Sequence, residues 1–237
     1  MKGKLRLGPP ARLRKLHQLL DRAYGPQFWW PAETPFEVVL GAYLTQNTSW
    51  TAAARSIANL RKAGALTPKG LRKLSLEELK THIRPSGFAT RKAPALKAFV
   101  AMLDAEFGGS LDALAATPTE TLRTRLLALP GVGPETADAI LLYALNHPVP
   151  VVDEYLRRIA VRHGLATPAP GRKGYENLAN LVRAAFAAKT GEVQLRVLNE
   201  AHALVVAVGK AHCRKVPHCE GCPLRPDLPS GTLQAEP

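Results

Sequence analysis

The sequence predicts an all-α protein. Apolar residues recur at helical spacing along nearly the whole chain, several segments open on helix N-cap signatures, and no alternating apolar pattern of useful length occurs. The 237 residues are 46% hydrophobic and 22% charged. That is an ordinary globular balance, with length for one large domain or two small ones. No apolar run approaches the ~20 residues of a membrane span. Met1-Lys-Gly-Lys-Leu-Arg6 is basic, but no apolar segment follows it, so no signal peptide is expected. A soluble, cytoplasmic protein is expected. No repeat of fixed period is present.

The elements follow in order. The stretch 11–24 has apolar residues at 13, 16, 19, 20 and 23, the spacing of one helix face. An aromatic loop, Phe28-Trp29-Trp30-Pro31, lies between Pro26 and Pro35. Helices are expected over 36–44 and 48–63. Ser75-Leu-Glu-Glu78 reads as a capping box, and so does Thr117-Pro118-Thr-Glu120. A helix over 91–107 stops at Gly108-Gly109. One helix ends near Ala128 and the next starts at Pro134. Val149-Pro-Val-Val152 is β-branched but interrupted by proline, and reads as a loop. Asp153 is placed to cap a further helix. The segment after Pro223 reads as a polar, frayed tail.

Charge narrows the function. The net charge is +13. Lys2, Lys4, Arg6, Arg12, Arg14 and Lys15 fall in the first 20 residues with no acid among them, and Arg55, Arg61, Lys62, Lys69, Arg72 and Lys73 fall between Val38 and Leu76 with none. Such a field attracts phosphate polymers. An anionic membrane surface is the weaker partner, because Leu13, Leu16, Leu19 and Leu20 form a core-facing stripe rather than an exposed aromatic one.

The most specific local motif is Leu129-Pro130-Gly131-Val132-Gly133-Pro134-Glu135-Thr136-Ala137. Two glycines between helices permit a tight turn and close approach to another surface. The amides at the new helix start, with the positive end of its dipole, form an anion site suited to a DNA phosphate. A plain helix–helix turn with a glycine cap is the simpler reading. The full string in a chain of charge +13 favours phosphate binding.

This motif, followed about 20 residues beyond Gly133 by Val151-Val152-Asp153, resembles the helix-hairpin-helix and catalytic Asp of the endonuclease III superfamily of DNA glycosylases. The resemblance extends from the tryptophan pair to the cysteines. It implies two all-α lobes with duplex DNA across the cleft: a six-helix barrel over 35–151, and a second lobe joining residues 1–34 to 152–224, with 225–237 as tail. By the same resemblance the hairpin residues Gly131, Val132, Gly133, Glu135 and Thr136 bind DNA. Gln46 falls where relatives insert a polar residue into the gap left by a flipped base. Asp153 is the catalytic carboxylate. The expected partner is double-stranded DNA carrying a damaged base, bound by a monomer associated with the nucleoid, with no membrane.

Bifunctional members of that superfamily carry, two residues after the second hairpin glycine, a lysine that forms a Schiff base with the sugar. Glu135 stands there, and a carboxylate cannot do this. It also suits the first turn of a helix. A monofunctional glycosylase using water is expected. Trp29-Trp30-Pro31, Gln46-Asn47-Thr48, Trp50 and Ala137–Tyr143 look most like the 3-methyladenine DNA glycosylase branch, which implies a base pocket of Trp29, Trp30, Pro31 and Trp50 with Lys210 near it. A cationic methylated base gains from stacking on aromatic faces. Ordinary core packing is the competing role of the tryptophans. Two alternatives are retained: an endonuclease III-type enzyme acting on oxidised pyrimidines with another lysine as lyase nucleophile, and a non-catalytic protein that binds damaged or structured DNA.

The three cysteines cluster as Cys213-x5-Cys219-x2-Cys222. Their spacing reads as a metal site in a reducing compartment rather than a disulfide framework. The superfamily's motif holds a [4Fe–4S] cluster with four cysteines, the fourth six positions after the third. That position is Leu228. The resemblance implies a cluster on Cys213, Cys219 and Cys222, completed by Asp227 or solvent. Zinc on the cysteines with His212 or His218, and no metal at all, are the alternatives.

Overall fold

The computed structural model describes residues 7–29, 32–187 and 189–229. These are helical, with no strand among them. The helices are α1 (Pro9–Tyr24), α2 (Pro35–Leu44), α3 (Trp50–Lys62), α4 (Pro68–Lys73), α5 (Leu76–Ile83), α6 (Ala89–Phe107), α7 (Leu111–Ala115), α8 (Thr119–Ala128), α9 (Pro134–Ala139), α10 (Glu154–Arg162), α11 (Gly171–Phe186) and α12 (Gly191–Ala211). A π-helical turn, Ile140–Ala144, continues α9. The chain packs as two units. One comprises Met1–Trp29 with Pro148–Pro237, the other Trp30–His147. No helix is long and apolar enough to cross a membrane among the described residues.

In the unit 30–147, α2 is apolar except for Glu37 and buried, with Val39, Leu40, Tyr43 and Leu44 fully enclosed. Such a helix is the core around which amphipathic ones assemble. α3, capped by Ser49, turns Ala53, Ile57 and Leu60 inward. The Ser75 capping box is present in both directions. The second expected box is not. Thr117 Oγ1 donates to Ala113 O and its N–H to Leu114 O, so Thr117 closes the turn after α7. Pro118 is the N-cap residue of α8, with no side-chain cap.

In the unit formed by the chain ends, Leu13, Leu16 and Leu20 of α1 are buried. α10 meets α12 where Gly209 faces Tyr155: a Cβ on Gly209 would lie 2.1 Å from the Tyr155 ring. Only glycine permits that approach, and it fixes the helix that follows Asp153 against α12. Val149–Val152 is a buried loop, and the Val152 N–H donates to Tyr175 Oη at 3.4 Å. The frayed tail expected after Pro223 is not observed up to Pro229. Leu224 is buried, and Arg225–Asp227 forms a 3-10 turn held by Arg12. The Arg12–Asp227 pair draws this stretch onto α1. Residues 230–237 lie outside the described residues.

Candidate nucleic-acid interface and catalytic carboxylate

The hairpin forms between α8 and α9. Gly131 has φ +74, a conformation that favours glycine. Gly133 has an ordinary φ of −93 and is the N-cap of α9, with no side-chain cap. A Cβ there would meet nothing within 4 Å. Nothing inside the protein therefore demands glycine at 133, whereas an outside surface pressing onto the turn would. Gly133 brings no capping side chain to the first turn of α9, where the positive end of the helix dipole favours an anion. Val132 is buried and Thr136 is buried, which anchors the turn from beneath. Glu135 is exposed in the first turn.

Two further contacts fix this hairpin. Arg123 of α8 makes a bidentate ion pair with Asp138 of α9, Nε to Oδ1 at 2.7 Å and Nη2 to Oδ2 at 3.0 Å, with Asp138 fully buried. A buried bidentate pair holds its two helices in one orientation. Gln46 Nε2 donates to Gly131 O and to Thr136 Oγ1, each at 2.9 Å. Gln46, Gly131 and Thr136 are thus brought together, as neighbours on one surface. Lys92 ties down the end of α2 just before Gln46. Its ammonium donates to Leu44 O and Ser86 O, both at 2.8 Å, and burial pushes it down to about 8.

The basic run 38–76 is free of acid in sequence but not in space. Arg61 pairs with Glu33 and Glu37 at 2.7 Å each, and Arg72 pairs with Asp104. Arg55, Lys62, Lys69 and Lys73 are exposed. Lys2, Lys4 and Arg6 lie outside the described residues.

Asp153 is the N-cap of α10. Its Oδ1 accepts the Leu156 N–H at 2.7 Å, and the residue is 8% exposed. Its Oδ2 lies 3.7 Å from Nε2 of His202, a buried residue of α12. The His202 ring packs on Trp29, with centroids 5.3 Å apart at 56°. Lys210 Nζ stands 6.0 Å from the Trp29 ring centroid. The Trp29 loop is held by Glu200, whose carboxylate accepts the N–H groups of Gln27 at 2.8 Å and Phe28 at 3.0 Å. Asp153, Trp29 and Lys210 therefore share one neighbourhood, organised by α12. Trp50 is half-buried at the start of α3, in the other unit. Trp30 and Pro31 lie outside the described residues. Sequence reading missed His202, Glu200 and the Arg123–Asp138 pair, because each acts on a residue distant in the chain.

The cysteines line one cavity of about 330 Å³, open mouth included, with Arg162, His163, His212, Leu224, Arg225 and Leu228 among its other walls. Arg162 Nη1 donates to Cys213 Sγ at 3.1 Å, and to Arg214 O at 2.8 Å. Burial pushes the Cys222 thiol up and the nearby Cys219 and Cys213 add to this, while the backbone N–H groups of Leu224 and Arg225 oppose it. Among the described residues no three His, Cys, Asp or Glu side chains converge as ligands of a single ion, which zinc requires. The three sulfurs share this cavity wall, and Arg162 donates to one of them. Asp227 does not complete the set. It is absent from the cavity wall, and its Oδ2 is taken by Arg12 at 2.6 Å and His163 Nδ1 at 3.2 Å. Leu228 reaches the wall and brings no donor atom.

Comparison with known proteins agrees with this geometry. Residues 40–184 match the family described as HhH-GPD superfamily base excision DNA repair protein. A Methanocaldococcus jannaschii protein, provisionally named a DNA repair glycosylase, is 38% identical over 89% of this chain and 93% of its own. Endonuclease III homolog 2 of Arabidopsis thaliana is 30% identical over 84% of this chain, which spans about half of it, 49%. The crystal structure of the Helicobacter pylori 3-methyladenine DNA glycosylase bound to 1,N6-ethenoadenine superposes with a TM-score of 0.71 and 27% identity, over 86% of this chain and 98% of that one. With its hairpin, its capping aspartate and these relatives, the chain belongs to the HhH-GPD superfamily of base excision DNA repair glycosylases.

Proposed function

We propose that the protein is a monofunctional glycosylase that hydrolyses the N-glycosidic bond of alkylated purines such as 3-methyladenine in duplex DNA. The observation that carries this reading is the Trp29 face. It is a half-buried ring in the same unit as Asp153, and it already has one cation, Lys210, at cation–π range. An alkylated purine nucleoside presents such a cation. The Helicobacter pylori relative is a 3-methyladenine DNA glycosylase, which supports the same substrate class.

The mechanism follows from the side chains. Hairpin amides and exposed cations hold phosphates on either side of the lesion. The damaged nucleotide leaves the stack at lower cost than a normal one. Its base stacks on Trp29, and Gln46, released from Gly131 and Thr136, fills the gap; Trp50 is a second stacking candidate by the family resemblance. The cationic base is already a competent leaving group and needs little general-acid help. The Asp153 carboxylate stabilises the positive sugar as the bond breaks and directs water onto it. Glu135, at the lyase position, has no amine, so the sugar forms no Schiff base. A [4Fe–4S] cluster would be held by Cys213, Cys219 and Cys222 with a solvent ligand at the position that Leu228 leaves open. When bound it supplies structure rather than reaction chemistry, pinning the loop that carries Arg214 and Lys215.

Asp153→Asn tests the reading. Base release from methylated duplex DNA should fall by about a hundredfold to a thousandfold, the scale of a lost charge-stabilising group, while duplex affinity stays within a few-fold. Release within a few-fold of wild type would remove Asp153 from the mechanism.

A further inference from the structure

We propose that His202 is a positioning residue for Asp153, tying the carboxylate to the Trp29 wall of the base pocket. The inference rests on the reading of Asp153 as the catalytic carboxylate.

Asp153 has two oxygens with different tasks. Oδ1 is committed to the α10 cap through Leu156 N–H. Oδ2 faces His202 Nε2 at 3.7 Å. One bond to a helix cap leaves a carboxylate free to rotate about its remaining torsions, and a second contact on the other oxygen fixes its plane. The distance is longer than a hydrogen bond. Catalytic hydrogen bonds are often long without substrate and tighten in the complex.

The setting of His202 argues against a packing role alone. It is 7% exposed and lines an otherwise largely apolar cavity with Leu13, Leu16, Leu156, Ile159 and Val205. An imidazole there costs desolvation that a leucine would avoid. What the imidazole adds is a ring nitrogen toward Asp153 and a ring face toward Trp29. Two residues earlier on α12, Glu200 holds the backbone N–H groups of Gln27 and Phe28. Gly209, seven residues later, seats α10 through Tyr155. A single helix therefore sets the backbone of the pocket wall, the helix behind the carboxylate and, through His202, the contact between them. A base seated on Trp29 presses on the ring that orients Asp153, so recognition and bond cleavage are linked through one side chain.

The test compares wild type with His202→Leu, His202→Gln and Asp153→Asn. Base release from methylated duplex DNA is followed under single turnover, and affinity is measured on a duplex with a tetrahydrofuran abasic analogue. Glutamine can place its Nε2 near the imidazole Nε2, and leucine cannot. His202→Leu should slow release about tenfold to a hundredfold, the effect of a modest misplacement, with analogue affinity within about twofold. His202→Gln should recover the rate to within about threefold. Thermal midpoints of His202→Leu, Asp153→Asn and the double variant should be non-additive. A His202→Leu rate within twofold of wild type overturns the inference, as do rate and affinity falling together. If wild type releases no base, or Asp153→Asn releases it normally, the catalytic reading has failed instead. The thermal cycle then decides alone: additivity overturns the positioning contact and coupling upholds it.

Discussion

Asp153 is a helix cap and a catalytic candidate at once, and the two roles support each other. A cap bond of 2.7 Å holds one oxygen and leaves the other facing His202. The cap was legible in the sequence, because a cap is a local pattern. His202 was not, because its relation to Asp153 exists only once α10 and α12 pack. Asp227 illustrates the opposite error. Its adjacency to the missing cysteine position suggested a ligand, but a buried carboxylate goes to the strongest donor within reach, here Arg12 and His163. The tryptophans carry the residue-scale prediction. Stacking on a flipped base acts only after flipping, at roughly 1–3 kcal/mol per contact. Trp29→Ala and Trp50→Ala should each lower excision of alkylated bases about tenfold or more while duplex affinity changes less. Equal losses in excision and binding assays, or unfolding by circular dichroism, would return them to the core.

Helices were the most legible elements, since a 3.6-residue apolar period and a serine cap are both written locally. α5 has its capping box as expected, and α9 starts at Pro134. The Thr117 box failed because α7 and α8 lie so close in sequence that one threonine could serve either, and it closes the first. The hairpin separates structure from function through its glycines. Gly131→Ala forces a left-handed backbone on alanine at about 1–2 kcal/mol. For a chain of this size that lowers Tm by about 2–8 °C. Gly133→Ala adds a methyl in open space, and an N-cap change of this kind costs under about 1 kcal/mol. It should leave Tm within about 4 °C and still weaken duplex binding about tenfold, where a phosphate meets the added methyl. Calorimetry and fluorescence anisotropy on both variants check this; unchanged binding by Gly133→Ala would leave that turn without a DNA contact. The cysteine loop makes the second element-scale prediction. Anaerobically purified protein should contain iron and acid-labile sulfide, with the cluster losing one iron readily because only three thiolates hold it. Stoichiometric zinc without iron would contradict the three-thiolate cluster.

At the scale of the whole molecule, the charge of +13 announced a nucleic-acid partner before any motif did. Its distribution was less legible, since Glu33, Glu37 and Asp104 reach into the acid-free run from outside it. The unit of Met1–Trp29 with Pro148–Pro237 joins both chain ends, an arrangement that leaves no local mark in a sequence. On the proposed reading, Glu135 in place of a lysine separates base release alone from strand cleavage. The most direct test incubates the protein in excess over end-labelled duplexes, one methylated and one carrying thymine glycol, with and without borohydride. A monofunctional alkylpurine glycosylase should release the methylated purine with the strand intact until alkali is added, release little thymine glycol, and form no covalent adduct. Strand cleavage without alkali together with a borohydride-trapped protein–DNA complex, on either duplex, would contradict that reading.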